Sequence, residues 1–376
     1  MKRIAAEWLT GPAQRVCAML ENAGYQAWFV GGCVRNALFG VPVSDLDLTT
    51  NAHPEAVTTL AEALGFRVVP TGIDHGTITV VVDGKSFEIT TFRRDVATDG
   101  RRAVVAFADN MEDDARRRDF TMNALYCSIE GVIADPLGGL PDLEARHVRF
   151  IDDADQRIKE DYLRILRFFR FHAWYGDQAQ GIDADGLAAC AENIDGLAGL
   201  SKERVTSEIL RLLSAPNPAP AVASMAATGV LGQILPGAIP DILAVLVHVE
   251  GQAGLAPDPV RRLVAVGGMR DGLRLTKVQE RQIEQLAREM SLPALAFEHG
   301  AEIAVDRAAI EAASCAQEVS SETLAQIAFA ARQVFPLSAA DLMPKLQGAA
   351  LGKALQKARS DWIASGFQLT KAELIG

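Results

Sequence analysis

Gly31-Gly32 is followed, at Asp45 and Asp47, by two carboxylates two residues apart. Together these residue types could build a metal-dependent site that handles a nucleoside triphosphate. Glycines carry no Cβ, so backbone amides there can come close to phosphate oxygens. Asp45 and Asp47 alternate with Leu46 and Leu48, which is the period of a strand, and residues two apart on a strand share a face. Both carboxylates can then hold Mg²⁺ ions of the kind that clamp an in-line displacement. A Gly-Gly pair alone reads as a turn, and an Asp-x-Asp alone as a solvated strand end. Their joint spacing behind an apolar run over 27–30 favours the chemical reading.

Three further groups extend it. In 86–95, Phe87 and Ile89 alternate with Glu88 and Thr90, so Glu88 faces away from the apolar side. It is a candidate third carboxylate, or simply an exposed strand glutamate. Arg116-Arg117-Arg118-Asp119-Phe120-Thr121-Met122-Asn123 follows; arginine forks suit phosphate oxygens, and Asp and Asn suit sugar hydroxyls. Residues 160–170 read as one helix carrying Arg164, Arg167 and Arg170 on a stripe. Asp161 and Arg164 are i and i+3 on it, hence neighbours on one face. An acceptor beside a fork of donors can address the pairing edge of a base; an ordinary intrahelical ion pair is the competing account.

The elements that must position these groups are legible from periodicity. Helices are expected over 14–23, 34–39 and 54–64, and strands over 27–30 and 46–49. Asp83-Gly84 joins strands 78–82 and 85–92 as a two-residue hairpin, and Glu130-Gly131 joins 125–129 to 132–134. From Asp153 the pattern turns helical and remains so, with 277–290 opened by Thr276 as the best-defined helix. The run Ala215-Pro216-Asn217-Pro218-Ala219-Pro220 is the clearest break. The expected fold class is α+β. A mixed, antiparallel-rich sheet domain over 1–150 precedes a helical segment over 151–215 and an all-helical part over 216–376.

Composition narrows the class. A chain of 376 residues with 49% hydrophobic and 23% charged residues is ordinary for a soluble protein of two to three domains. No apolar run has the length of a membrane span or the form of a signal peptide. Five scattered cysteines (Cys17, Cys33, Cys127, Cys190 and Cys315) point to reduced thiols and a cytoplasmic setting. A net charge of −11 excludes indiscriminate nucleic-acid binding. The arginines that gather at Arg93, Arg94, Arg101, Arg102 and Arg116–Arg118 are interleaved with acids, whereas those from Arg157 to Arg170 face only Glu160 and Asp161.

Taken in order, these segments resemble the class II CCA-adding enzymes and bacterial poly(A) polymerases of the DNA polymerase β nucleotidyltransferase superfamily. The resemblance runs from Phe29-Val30-Gly31-Gly32-x-Val34-Arg35 and Asp45-x-Asp47-x-x-Thr50 to Glu88-x-Thr90-Thr91-Phe92-Arg93. It continues through Arg117-Arg118-Asp119-Phe120-Thr121-x-Asn123-Ala124 and Asp135-Pro136-x-Gly138-Gly139-x-x-Asp142-Leu143. Glu160-Asp161-x-x-Arg164-x-x-Arg167 and Ser201-Lys202-Glu203-Arg204 with Glu208 complete it.

The resemblance implies a nucleotidyltransferase head over 1–150, a neck over 151–215 and a body and tail over 216–376 that bind tRNA. It implies Asp45 and Asp47 as ligands of two Mg²⁺ ions, with Glu88 as the candidate third carboxylate. Gly31, Gly32 and Arg35 would contact the triphosphate with Arg117 or Arg118 assisting. Asp119 and Asn123 would lie at the ribose and the motif backbone. Asp161 and Arg164, with Arg167 on the same motif, would select CTP and ATP in place of a template. The implied reaction is addition or repair of the 3′-terminal CCA of tRNA with release of pyrophosphate, with no obligatory protein partner and no membrane. Poly(A) synthesis on RNA 3′ ends is the nearer alternative, which the acidic total charge disfavours; a catalytically dead RNA-binding module is the remoter one.

Asn36 stands where the family commonly has aspartate, and Tyr162 where a small residue or proline is usual. Thr98, in the 93–99 segment that resembles a loop needed for A addition, replaces an arginine. None of the six histidines (53, 75, 147, 172, 248 and 299) precedes an aspartate, so no His-Asp phosphohydrolase doublet is present.

Overall fold

The computed structural model describes residues 2–73, 76–99, 102–343 and 346–375; Arg101 and His75 lie outside them. The chain divides into two compact units, Met1–Val205 with Ser224–Gln233, and Thr206–Ala223 with Ile234–Gly376.

The first unit is built on a seven-stranded sheet. In chain order it runs α1 (Pro12–Glu21), β1 (Trp28–Val30), α2 (Gly32–Phe39), β2 (Leu46–Thr50), α3 (Pro54–Ala63), β3 (Arg67–Gly72), β4 (Thr77–Val82) and β5 (Lys85–Thr91). A separate hairpin of β6 (Arg93–Asp99) and β7 (Arg102–Phe107) follows, then α4 (Met111–Arg116), a 3-10 turn Thr121–Asn123, β8 (Tyr126–Cys127) and β9 (Ile133–Ala134). Helices α5 (Leu140–Glu144), α6 (Ala154–Glu160), α7 (Leu163–Tyr175) and α8 (Ala184–Glu192) come next, and α9 (Lys202–Leu213) begins in this unit and belongs from Thr206 to the second.

The sheet order is β3-β4-β5-β2-β1-β8-β9, antiparallel except where β2 and β5 run parallel. The expected fold class is therefore the observed one. Asp83 (φ 51°) and Gly84 (φ 77°) turn β4 into β5, the left-handed pair that a tight hairpin demands. Alternation along β4 and β5 buries Ile78, Val80, Val82, Phe87 and Ile89 on one side. Phe29 and Leu48 are fully buried in the central strands, and Trp8 meets the Phe29 ring edge-on at 4.9 Å. Thr98 lies on β6, in register with Ala103 of β7; the 93–99 segment is a strand.

One expectation fails locally. Residues 160–170 do not form a single helix: α6 ends at Glu160, Asp161 is extended (φ −155°, ψ 104°), and α7 starts at Leu163. The cause lies in the aspartate, whose Oδ1 accepts from Leu163 N at 3.1 Å and so competes with helix continuation. The Tyr162 ring completes the break, lying so close to Gly196 that a Cβ there would fall 2.0 Å from it.

In the second unit, Leu295, Ala296, Ala304, Ala308, Ile327 and Ala330 form one core cluster. Leu246, Val249, Ala309 and Ala313 form another. Glu250 is buried between Arg261 and Arg262, and Arg262 also donates to the carbonyls of Leu213, Ala215 and Pro216. The proline-rich stretch is thus held by a buried charge. The helix opened by Thr276 is Lys277–Leu286 and ends short of the expected 290. Ser291 caps the next helix, Leu292–His299, with Pro293 in its first turn, and a proline there requires the chain to leave helical geometry just before it. No helix among the described residues is long and apolar enough to cross a membrane.

Candidate active site

Asp47 sits on β2 directly opposite Glu88 on the parallel strand β5. In-register residues of a parallel pair point to the same face, so the alternation places both carboxylates on one side. Asp45 immediately precedes β2, exposed, with Oδ2 accepting from Ser44 Oγ at 3.0 Å. Burial raises the Asp47 carboxyl above its usual range, and the neighbouring charges of Glu88 and Asp45 add to this while Arg118 opposes it. Like charge concentrated at Asp47 and Glu88, only partly offset by Arg118, is a natural seat for a cation.

The donor set fits Mg²⁺: hard carboxylate oxygens on adjacent strands. Among the described residues no three His, Cys, Asp or Glu side chains are gathered as a self-sufficient metal site.

β1 delivers the chain to Gly31, whose φ of 73° is a left-handed value open to glycine at little cost. Gly31 precedes the first turn of α2, where unsatisfied backbone N–H groups suit an anion. A Cβ at Gly31 would lie 3.3 Å from Nη1 of Arg118, so this guanidinium borders the turn. Arg118 Nε is buried with no hydrogen-bond partner among the described residues.

Behind the turn lies a buried polar chain. Arg35 is only 7% exposed. It donates to Asn123 Oδ1 (2.6 Å), Asn36 Oδ1 (3.0 Å) and Tyr175 Oη (2.8 Å), and its guanidinium lies 4.1 Å from the Tyr175 ring centre. Asn123 Nδ2 donates to Asp119 Oδ1 at 2.8 Å, and Arg167 Nε to Asp119 Oδ2 at 2.8 Å. Burial opposes ionisation of Asp119, yet Arg167 and these hydrogen bonds hold its carboxyl below the usual range. Arg35, Asn123, Asp119 and Arg167 thus form one connected network that joins α2, the 3-10 turn and α7. Asn36, the departure from the family's aspartate, contributes an acceptor to it.

The Asp161–Arg164 pair differs from the expected neighbours on a helix. Asp161 lies outside both helices, and its Oδ2 accepts from Arg204 Nη2 at 2.6 Å. Arg164 bonds instead to Glu160, to the carbonyl of Arg157 (2.6 Å) and to that of Arg117 (3.1 Å). The reason is the break at Asp161, which separates the two side chains that helical spacing would have brought together. Arg157 is nearly buried and holds Glu160 and the carbonyl of Arg118.

The arginine run is equally differentiated. Arg116 is exposed and bonded to Glu112 and Asp152, whereas Arg117 and Arg118 both turn onto the fully buried Asp114. Sequence reading left Asp114, Tyr126, Tyr175 and Arg204 without a role. Asp114 had a signal, three and four residues before the two arginines on a short helix; Tyr175, 140 residues from its partner Arg35, had none.

Residues 27–149 match the poly A polymerase head domain, and residues 181–242 match the probable RNA and SrmB-binding site of polymerase A. The chain is 41% identical over 196 residues to the human CCA tRNA nucleotidyltransferase 1, mitochondrial, covering 52% of this chain and 45% of that protein. It is 39% identical over 224 residues to the CCA-adding enzyme of Geobacillus thermodenitrificans, covering 59% and 54%. The aligned region is about half the length of these curated relatives. A solved structure, the Bacillus stearothermophilus CCA-adding enzyme in complex with CTP, superposes with a TM-score of 0.72 at 25% identity, over 94% of this chain and 92% of that one.

Proposed function

We propose that this chain, whose residues 27–149 match the poly A polymerase head domain, builds or repairs the 3′-terminal CCA of tRNA from CTP and ATP. No nucleic-acid template takes part. The observation that carries the reading is the in-register pair Asp47 and Glu88 beside the Arg118-bordered Gly31 turn. The named relatives, CCA-adding enzymes and a CCA tRNA nucleotidyltransferase, support the same substrate class.

The RNA 3′ hydroxyl attacks the α-phosphorus of the bound triphosphate. A new O–P bond forms, the bond to the β-phosphate oxygen breaks, and pyrophosphate leaves. Asp45 and Asp47, with Glu88 beside them, would hold Mg²⁺, which when bound supplies Lewis-acid stabilisation of the phosphoryl charge. The amides after Gly31 and the Arg118 guanidinium receive phosphate oxygens. Arg35, Asn123, Asp119 and Arg167 brace the turn and the ribose side from behind, and Arg117 stands next to Arg118 on the same carboxylate.

Asp161 and Arg164 choose the base. C and A each offer a ring-nitrogen acceptor and an exocyclic amino donor at the pairing edge, so one acceptor and one fork serve both and reject G and U. Arg204 holds Asp161, while Glu160 and the carbonyls of Arg157 and Arg117 hold Arg164, so each is positioned separately for the base. Residues 1–150 then act as catalytic head, 151–215 as neck, and 216–376 as the part that grips tRNA. Cytoplasmic residence with reduced thiols suits such an enzyme.

Asp45→Ala and Asp47→Ala are expected to lower nucleotide incorporation on the order of a thousandfold or more while leaving tRNA affinity within about twofold, because the carboxylates act on the reacting phosphate alone. Filter binding and single-turnover incorporation measure the two quantities. Retention of more than about a tenth of the activity in either variant contradicts the assignment.

A further inference from the structure

We infer that Asp114, on α4 and away from the reacting groups, is a positioning residue that aims Arg118 at the triphosphate, an inference that rests on the function proposed above. Its carboxylate is fully buried. Oδ1 accepts from Arg117 Nε at 2.8 Å, and Oδ2 accepts from Arg118 Nη2 at 3.1 Å and from Tyr126 Oη at 2.9 Å. A fixed guanidinium fork offers several donors in one plane. With Nη2 tied to Asp114, the other edge is constrained: Nη1 lies beside Gly31, and Nε is buried without a partner among the described residues. The Tyr126 ring lies 5.6 Å from the Arg118 guanidinium centre and leaves it little freedom to rotate. The backbone is held as well, since Arg157 donates to the carbonyl of Arg118 and Arg164 to that of Arg117.

This arrangement separates two arginines that the sequence leaves equivalent. Arg118 is the one that borders the Gly31 turn and reduces the like-charge burden on Asp47; Arg117 shares the counter-ion. Two of the three charges at Asp114 are positive, so the cluster carries an excess positive charge for which an incoming polyphosphate is the natural complement. The carboxyl itself stays ionised, since burial is outweighed by Arg118 and Arg117, which hold its pKa at about 2.

The test is a double-mutant cycle on the full chain with inorganic tripolyphosphate and Mg²⁺ as the probe, read by calorimetry, so that no catalysis is needed. Asp114→Asn is expected to weaken binding about tenfold or more in the wild-type background and to have no further effect once Arg118→Ala is present. KM for CTP and for ATP should rise by the same factor. Equal weakening in both backgrounds would mean that Asp114 only supports the fold, and unchanged binding in Asp114→Asn overturns the inference outright. Should Asp114→Asn fail to fold, Tyr126→Phe, which removes one hydrogen bond to Oδ2, takes its place, with about threefold weakening that again vanishes beside Arg118→Ala. The proposed function fails separately: a wild-type chain that binds tripolyphosphate but adds nothing to tRNA sinks that reading and leaves this one standing.

Discussion

Asp161 carries the heaviest demand of any single residue in the proposed choice of base. Its carboxylate caps Leu163 N through Oδ1 and receives Arg204 through Oδ2, so it is fixed before any nucleotide arrives. An acceptor held in place discriminates between bases better than a mobile one, because a mismatched edge then leaves buried groups unpaired. Asp161→Ala is therefore expected to relax base choice: UTP and GTP incorporation should rise relative to CTP and ATP by about tenfold or more. Competitive incorporation from equal mixtures of the four triphosphates measures this. A fall in rate that is equal for all four would show that the residue serves the fold and not selection.

At the level of elements, the site depends on two strands and one break. The strands are legible in the sequence, since alternation of Asp47 with leucines and of Glu88 with Phe87 and Ile89 is a local pattern that the sheet preserves, while Asp45 falls just before β2. The Asp83-Gly84 turn was equally local. The break between α6 and α7 was not legible, because Leu163, Leu166 and Phe169 keep helical spacing and no glycine or proline marks the stop. The local Asp161 cap on Leu163 N stops the helix only with tertiary help, from the Arg204 contact and the seating of Tyr162 on Gly196. The same holds for Arg35, expected at the triphosphate, whose acceptors include Asn123 and Tyr175, 88 and 140 residues away. Gly196→Ala gives this a measurable form. An added methyl cannot fit beneath the Tyr162 ring, so overpacking should cost about 1–3 kcal/mol. A matching fall in the urea midpoint of the first unit is the expected result, and an unchanged midpoint would remove Tyr162 as a cause of the break.

For the molecule as a whole, charge and architecture limit what the site can be used for. A net charge of −11 gives no general hold on nucleic acid, so the proposed substrate, a tRNA end of defined shape, suits this chain better than arbitrary RNA. The head family alone covers both CCA addition and poly(A) synthesis, and the two differ in when the chain stops. The most direct measurement is the product made by the purified 376-residue chain on a tRNA lacking its CCA, supplied with each triphosphate singly and with CTP and ATP together. Two C residues are expected from CTP, a terminal A only after those are in place, and nothing from UTP or GTP. A long A-tail made from ATP alone would contradict CCA addition.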